Sequence, residues 1–139
     1  MQRFVCYSFA ILTGLYAVAL AGERTSERAL PGLGRDLYVT HCSSCHQSSG
    51  EGLPTVFPPL KGSGVVNKDD PTKHIQVVLN GMQGARAGGV AYAAAMPPFA
   101  AALGDGEIAA VINFERSSWG NHGAPVTAGQ VAAERSRPQ

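Results

Sequence analysis

Two cysteines and a histidine lie within five consecutive residues of this chain, and this segment constrains the fold more than any other. Cys42, Cys45 and His46 fall in the stretch HCSSCHQSSGEGLP, which begins at His41. The other cysteine, Cys6, lies in an apolar N-terminal segment. The C-x-x-C-H spacing places two thiols and an imidazole on one short piece of backbone, where they can act together on a single bound group.

The N-terminus has the pattern of an export signal. Arg3 precedes a mostly apolar run that ends at Leu20, and Ala19-Leu20-Ala21 offers the small residues of a cleavage site. We expect a signal peptide over residues 1–21 and a periplasmic location; the alternative is an inner-membrane anchor formed by residues 4–21. Cleavage would leave equal numbers of basic and acidic side chains. Without a basic stripe, neither nucleic acid nor an anionic membrane surface is an expected partner.

The remaining sequence predicts an all-α domain over residues 33–139, which follows a linker at 22–32. Stretches rich in glycine and proline at 47–67 and 83–98 predict long ordered loops, because such residues interrupt regular elements. No alternating pattern predicts a strand. Apolar residues at helical spacing predict four helices, at about 33–44, 70–81, 104–119 and 127–136.

The second predicted helix has clear start and stop signals. Asp70 is a candidate N-cap, Pro71 suits the first helical position, and Gly81 suits the end. Its apolar stripe predicts a buried face made of Ile75, Val78 and Leu79. His74 precedes this stripe, and we expect it to be a solvated helix histidine.

C-x-x-C-H is the pattern of covalent haem attachment. Two thiols three residues apart at a helix end can bond the two vinyl groups on one haem edge, and His46 can then ligate the iron. A thioredoxin-like redox pair would need a βαβ context, which the sequence lacks. A zinc site made of His41, Cys42, Cys45 and His46 would be crowded. A simple disulfide would leave His46 unexplained.

The sixth iron position has four candidate ligands downstream, which are His74, Met82, Met96 and His122. Met96 is the preferred candidate because Pro97 and Pro98 follow it and reduce the conformational freedom of its loop. Met82 is expected to fill space in the core, and His122 lies in a polar turn that favours exposure.

The chain resembles the class I c-type cytochromes. The resemblance rests on GRDLYVTHCSSCH from Gly34, GEGLPTVFPPLKGS from Gly50, MPPFA from Met96 and LGDGEIAAVINFERSSWGN from Leu103. It implies one covalent haem c, and a crossing of the first and last large helices in which Gly34 and Tyr38 face the helix from Ile108 to Trp119. It also implies that Pro58 accepts a hydrogen bond from the ligating His46, and that Leu60 packs on the haem ring.

The tail RSSWGNHGAPVTAGQVAAER is similar to the ends of haem modules in cytochrome subunits of periplasmic dehydrogenases, such as membrane-bound alcohol and gluconate dehydrogenases. Those subunits usually carry three modules, whereas this chain has one haem motif. The resemblance implies an electron-transfer protein and not an enzyme.

We expect a periplasmic one-electron carrier with His46 and Met96 as axial ligands, which passes electrons from a dehydrogenase toward a terminal oxidase or another cytochrome in transient encounters. The alternatives are a small cytochrome subunit of a dehydrogenase complex, or a haem ligand sensor or peroxidase if the sixth position is open. Lys61, Lys68 and Lys73 could form a docking rim or be ordinary solvated charges, and Arg86 could meet a haem propionate or solvent.

Overall fold

A computed structural model describes residues 32–138, and the predicted signal peptide and most of the predicted linker lie outside these residues. The domain is mostly helical, which confirms the predicted all-α class. In the described part of the chain, none of the helices is both long and apolar enough to span a bilayer. The elements in chain order are α1 (Leu33–His41), α2 (Ser43–His46), α3 (Thr72–Asn80), β1 (Arg86–Ala87), β2 (Val90–Ala91), α4 (Asp105–Ser117) and α5 (Ala128–Arg135).

The first predicted helix is divided at Cys42. Its N–H donates to the carbonyl oxygen of Tyr38 at 2.9 Å and closes α1, and its own carbonyl accepts from His46 at 2.9 Å. The four residues of α2 then form a single turn, which Gln47 ends with a φ of 63°. Cys42, Cys45 and His46 are spaced i, i+3 and i+4, so the three side chains project to the same side of the backbone.

Close contact between α1 and α4 depends on Gly34. A Cβ at this position would collide with the main chain of Ala110 and would lie 3.0 Å from the Cβ of Phe114. Tyr38, one turn further along α1, packs its ring 5.2 Å from the ring of Phe114 and 5.0 Å from that of Trp119. The helix crossing implied by the resemblance is therefore confirmed at Gly34 and Tyr38.

The core lies between α3, α4 and α5. The predicted stripe of α3 is buried and packs in one cluster with residues of the other two helices, among them Ile108, Ile112 and Val131. The N-cap is Pro71 and not Asp70, one residue later than predicted, although Asp70 accepts a hydrogen bond from the N–H of Thr72 at 3.0 Å. Gly81, with a φ of 74°, follows the last helical residue as predicted. Burial of this stripe supplies the apolar contact that holds α3 against α4.

The expectation that His74 is solvated was wrong. Its relative exposure is 4%, and its ring contacts Glu115 on α4. His74 shares a helical face with Val78, four residues later, so the packing that buries Val78 buries His74 as well.

The structure contains one short hairpin, although no alternating pattern of useful length predicts a strand. Arg86 pairs with Ala91 and Ala87 pairs with Val90 in an antiparallel hairpin. Its two turn residues, Gly88 and Gly89, have φ values of 56° and 82°, as a type I′ turn requires. Strands of two residues are too short to show alternation in sequence.

Candidate functional site

A cavity of about 250 Å³ lies between α1, α2, α3, α4 and the two long loops. Its wall is mostly apolar, with Phe57, Val66, Val78 and Phe99 among the residues that form it. All six residues that the sequence indicated as cofactor contacts line this one cavity: Cys42, Cys45, His46, Pro58, Leu60 and Met96. They come from three separate segments of the chain.

Both cysteines are half-buried on the cavity wall, and they do not form a disulfide in the structure. Burial raises the pKa of the Cys42 thiol to about 12, and the nearby charge and hydrogen bond of Glu115 add to this rise. The raised pKa favours the neutral thiol of Cys42 over the thiolate, which is the form that exchanges disulfides. Within residues 32–138 no group of three or more His, Cys, Asp or Glu side chains is arranged to hold a metal ion.

His46 is buried and fixed in orientation. Its Nδ1 lies 2.9 Å from the carbonyl oxygen of Pro58, to which it can donate a hydrogen bond. Donation from Nδ1 leaves the lone pair on Nε2 and makes that nitrogen a better ligand for a metal. A carbonyl oxygen 12 residues further along the chain therefore orients the imidazole, which could ligate a metal through Nε2.

The loop that carries Pro58 and Leu60 is held in place from both sides. The N–H of Leu60 donates to the carbonyl oxygen of Gly50 at 2.8 Å. The Leu60 carbonyl oxygen accepts from the amide of Asn121 at 3.1 Å, and the same amide group donates to the main chain of Glu115 at 2.9 Å. Asn121 therefore ties this wall of the cavity to the end of α4.

Met96 and Met82 lie side by side. The N–H of Met82 donates to the carbonyl oxygen of Met96 at 3.1 Å, and the reverse bond is 2.8 Å long. Both side chains are half-buried and both line the cavity. The other two candidates differ: His74 reaches the cavity wall but is engaged with Glu115, and His122 is exposed and outside the cavity.

Sequence reasoning missed Glu115. Its carboxylate lies 2.8 Å from Nε2 of His74, and both side chains are almost fully buried on the cavity wall. The signal was present, because Glu115 follows Ile108, Val111 and Ile112 at the spacing of the buried stripe of α4. An acidic residue on a core-facing stripe indicates a buried partner.

The residues present fit a covalently attached haem. An apolar cavity suits the porphyrin, two half-buried thiols suit its vinyl groups, and the imidazole and the thioethers suit its iron. The fold and this site define a class: small helical proteins that hold a haem by thioether bonds.

The comparisons place the chain within that class. The family model for cytochrome c matches residues 32–119. The chain therefore belongs to the cytochrome c family, as a class I c-type module. It is an electron-transfer protein, and its cofactor is covalently bound haem c.

Two kinds of relative are similar to the chain. The cytochrome c subunit of a quinone alcohol dehydrogenase from Gluconacetobacter polyoxogenes is 40% identical over 104 residues, which are 73% of this chain and 22% of that subunit. The cytochrome c subunit of gluconate 2-dehydrogenase from Pantoea cypripedii is 38% identical over 104 residues, 73% of this chain and 24% of that subunit. Cytochrome c-552 of Thermus thermophilus is 39% identical over 92 residues, 63% of this chain and 69% of that protein. The chain thus spans less than a quarter of the length of these dehydrogenase subunits.

Proposed function

We propose that this chain is a periplasmic one-electron carrier whose haem is bonded to Cys42 and Cys45, with the iron held by His46 and Met96. The observation that carries this proposal is the meeting of all four side chains on one apolar cavity. Cys42 precedes α2, Cys45 and His46 lie in α2, and Met96 lies in a loop 50 residues after His46. Only the folded chain brings these side chains together.

Attachment needs no change of oxidation state in the protein. Each thiol would add across a vinyl double bond of the haem, with the sulfur bonded to one carbon and the thiol hydrogen transferred to the other. The high pKa of the Cys42 thiol makes unassisted addition slow, because the thiolate is the nucleophile. We therefore expect attachment to require the cell's haem-attachment machinery.

Ligation by His46 and Met96 would fill both axial positions of the iron. A filled iron offers substrate no place to bind, so the site suits electron transfer better than ligand sensing or peroxidase chemistry. The thioether sulfur is a soft ligand that favours Fe(II), and this raises the reduction potential.

Partners would meet the exposed margin of the cavity. Ser44, Ala95 and Pro97 are cavity-lining residues that are open to solvent. Their small, uncharged surface suits brief encounters with a dehydrogenase as donor and with an oxidase or another cytochrome as acceptor. The relatives support a dehydrogenase as the donor, since two of them are subunits of such enzymes.

The basic side chains contribute unequally to this surface. Lys61, Lys68 and Lys73 do not line the cavity, and Lys61 pairs with Glu51 at 3.0 Å on the exposed surface. Arg86 does line the cavity, and its guanidinium donates to the Gly89 carbonyl oxygen at 3.1 Å. We propose that Arg86 lies at the margin of the haem and that the three lysines are solvated surface charges.

The test is rapid reduction by a dehydrogenase. The protein is matured with the haem-attachment machinery, and its mass should include one covalent haem. Stopped-flow mixing with a quinone alcohol dehydrogenase and a gluconate 2-dehydrogenase, each stripped of its own cytochrome subunit, should give fast reduction by one of them. Chemically reducible protein that neither enzyme reduces would contradict the proposed donor.

Location and assembly need three further measurements. Cell fractionation and N-terminal sequencing should give a periplasmic protein that begins after Ala21. Recovery in the membrane with Met1 intact would instead support the anchored alternative. Co-elution with the dehydrogenase during size-exclusion chromatography would favour a stable subunit over a free carrier.

A further inference from the structure

His74 and Glu115 form a buried ionisable pair on the wall of the haem cavity. Nε2 of His74 and a carboxylate oxygen of Glu115 are 2.8 Å apart, and the two side chains are 4% and 5% exposed. The surrounding wall is apolar, with Val78, Leu103 and Val111 among its residues. Burial of such a pair usually costs more free energy than its attraction returns, so packing alone does not explain its presence.

Glu115 also lies next to one point of haem attachment. In the free thiol state, Cys42 and Glu115 share a hydrogen bond. Thioether formation removes the S–H donor, so in the mature protein the carboxylate keeps His74 as its side-chain partner among the described residues. The pair is therefore adjacent to the covalent link between Cys42 and the cofactor.

The net charge of the pair depends on one proton. With His74 neutral and Glu115 ionised the pair carries one negative charge, and one further proton, on the imidazole or on the carboxylate, makes the pair neutral overall. Nδ1 of His74 is buried without a hydrogen-bond partner within residues 32–138, so no other side chain there compensates that charge through the ring. Charges interact strongly in such a water-poor environment. Ferric iron carries one more positive charge than ferrous iron. The ferric state therefore favours the deprotonated pair, and the ferrous state favours the protonated pair.

We propose that the His74–Glu115 pair takes up a proton from solvent as the haem iron accepts an electron, and releases it when the iron is reoxidised. The electron comes from the donor dehydrogenase and reduces Fe(III) to Fe(II), and the proton forms one N–H or O–H bond within the pair. This inference rests on the proposed function, and it makes the protein a carrier of a coupled electron and proton.

Other ionisable groups near the pair make contacts of their own with other parts of the domain. Burial raises the pKa of Tyr38, with a smaller contribution from the charge of Glu115, and its hydroxyl donates to the Gln47 carbonyl oxygen. Arg116 is engaged with the carbonyl oxygens of Lys68 and Ala124, and it is also influenced by Asp69. From α5, Glu134 accepts from Gln76. The remaining titratable or charged residues on the cavity wall are His41, Cys42, Cys45, His46 and Arg86.

The experiment measures the reduction potential of the haem-loaded protein between about pH 5 and pH 9, where histidines and buried carboxylates titrate. The wild-type potential should fall as pH rises. The limit of one proton per electron is a tenfold change in the redox equilibrium constant per pH unit, or about 59 mV for a one-electron couple. The double variant His74→Gln/Glu115→Gln keeps two groups that can hydrogen-bond but cannot titrate, and its profile should be flat. His41→Gln is the matched control and should keep the wild-type slope.

Two further measurements keep the test decisive. If the double variant does not fold, Glu115→Gln alone should raise the potential at alkaline pH to the wild-type acid value. Reduction of wild-type protein in unbuffered solution with a pH indicator should show proton uptake. A flat wild-type profile, or a slope that persists in the double variant because a haem propionate carries the proton, would overturn the inference.

Failure of this inference is distinguishable from failure of the carrier function. Each sample is first checked for covalent haem and for a reversible one-electron titration. Absence of either would refute the carrier function, and the inference would fail with it. A wrong pH dependence in samples that pass both checks refutes only the proton coupling.

Discussion

Met82 and Met96 exchange two main-chain hydrogen bonds, of 3.1 and 2.8 Å, and both thioether side chains line the haem cavity. Residues directly opposite in an antiparallel pair project to the same side, which explains this shared direction. Two soft ligands are thus available to the iron. The rigid Pro97-Pro98 segment after Met96 favours Met96, since less conformational entropy is lost when that sulfur is held.

Matched substitutions of the two methionines test this choice. Met96→Leu should abolish the near-infrared sulfur-to-iron band of the ferric protein and lower the reduction potential, because the soft sixth ligand is lost. Met82→Leu should keep the band, because only packing changes. The reverse pattern, with the band lost in Met82→Leu alone, would assign the ligand to Met82.

The contact between α1 and α4 gives a second test. Gly34→Ala should lower the free energy of unfolding by about 2 kcal/mol, because the new methyl group collides with the main chain of Ala110. Gly106→Ala is the matched control, since Gly106 is likewise the second residue of its helix and a Cβ there meets nothing within 4 Å. It should raise stability by up to about 1 kcal/mol. Equal effects in denaturant unfolding would show that Gly34 is not a close-contact position.

The sequence predicts local features of this protein well. The C-x-x-C-H segment is a local motif, and the stripe of α3 depends on spacing within one helix, so both could be found without knowledge of the fold. The break at Cys42 was not predicted, because the periodic stripe of α1 contains no signal that ends it there. Contacts between distant segments of the chain could not be predicted from such local patterns. His74 and Glu115 are 41 residues apart, and periodicity does not tell which face of one helix meets which face of another.

The contacts of Asn121 also join distant segments of the chain, and they supply a third prediction. Its side-chain oxygen accepts from Gly62 at 2.9 Å and from Asn67 at 2.8 Å, and its nitrogen donates to the carbonyl oxygens of Leu60 and Glu115. Asn121→Asp would place a second oxygen against those two carbonyl oxygens in a buried site. We expect a loss of about 3 kcal/mol in the free energy of unfolding.

The control for Asn121→Asp is Gln83→Glu, the same change from amide to acid at an exposed position. It should alter stability by less than about 0.5 kcal/mol. Equal losses in the two variants at neutral pH would mean that added negative charge, and not the lost amide donor, is responsible.

The start of α3 gives a prediction that depends on pH. The hydrogen bond from the Thr72 N–H lowers the pKa of the Asp70 carboxyl, so the charged form is favoured in the folded state. A lowered folded pKa means that this contribution is present above the unfolded value of about 3.9 and is lost as pH falls through the folded pKa. Asp70→Ala should therefore lower the melting temperature at neutral pH, and the difference from wild type should shrink as the solution becomes strongly acidic. Asp70→Asn keeps a capping oxygen without a charge, so its difference from Asp70→Ala should change little with pH. A melting difference between Asp70→Ala and wild type that stays constant from neutral to strongly acidic solution would show that the ionised carboxylate does not stabilise the start of α3.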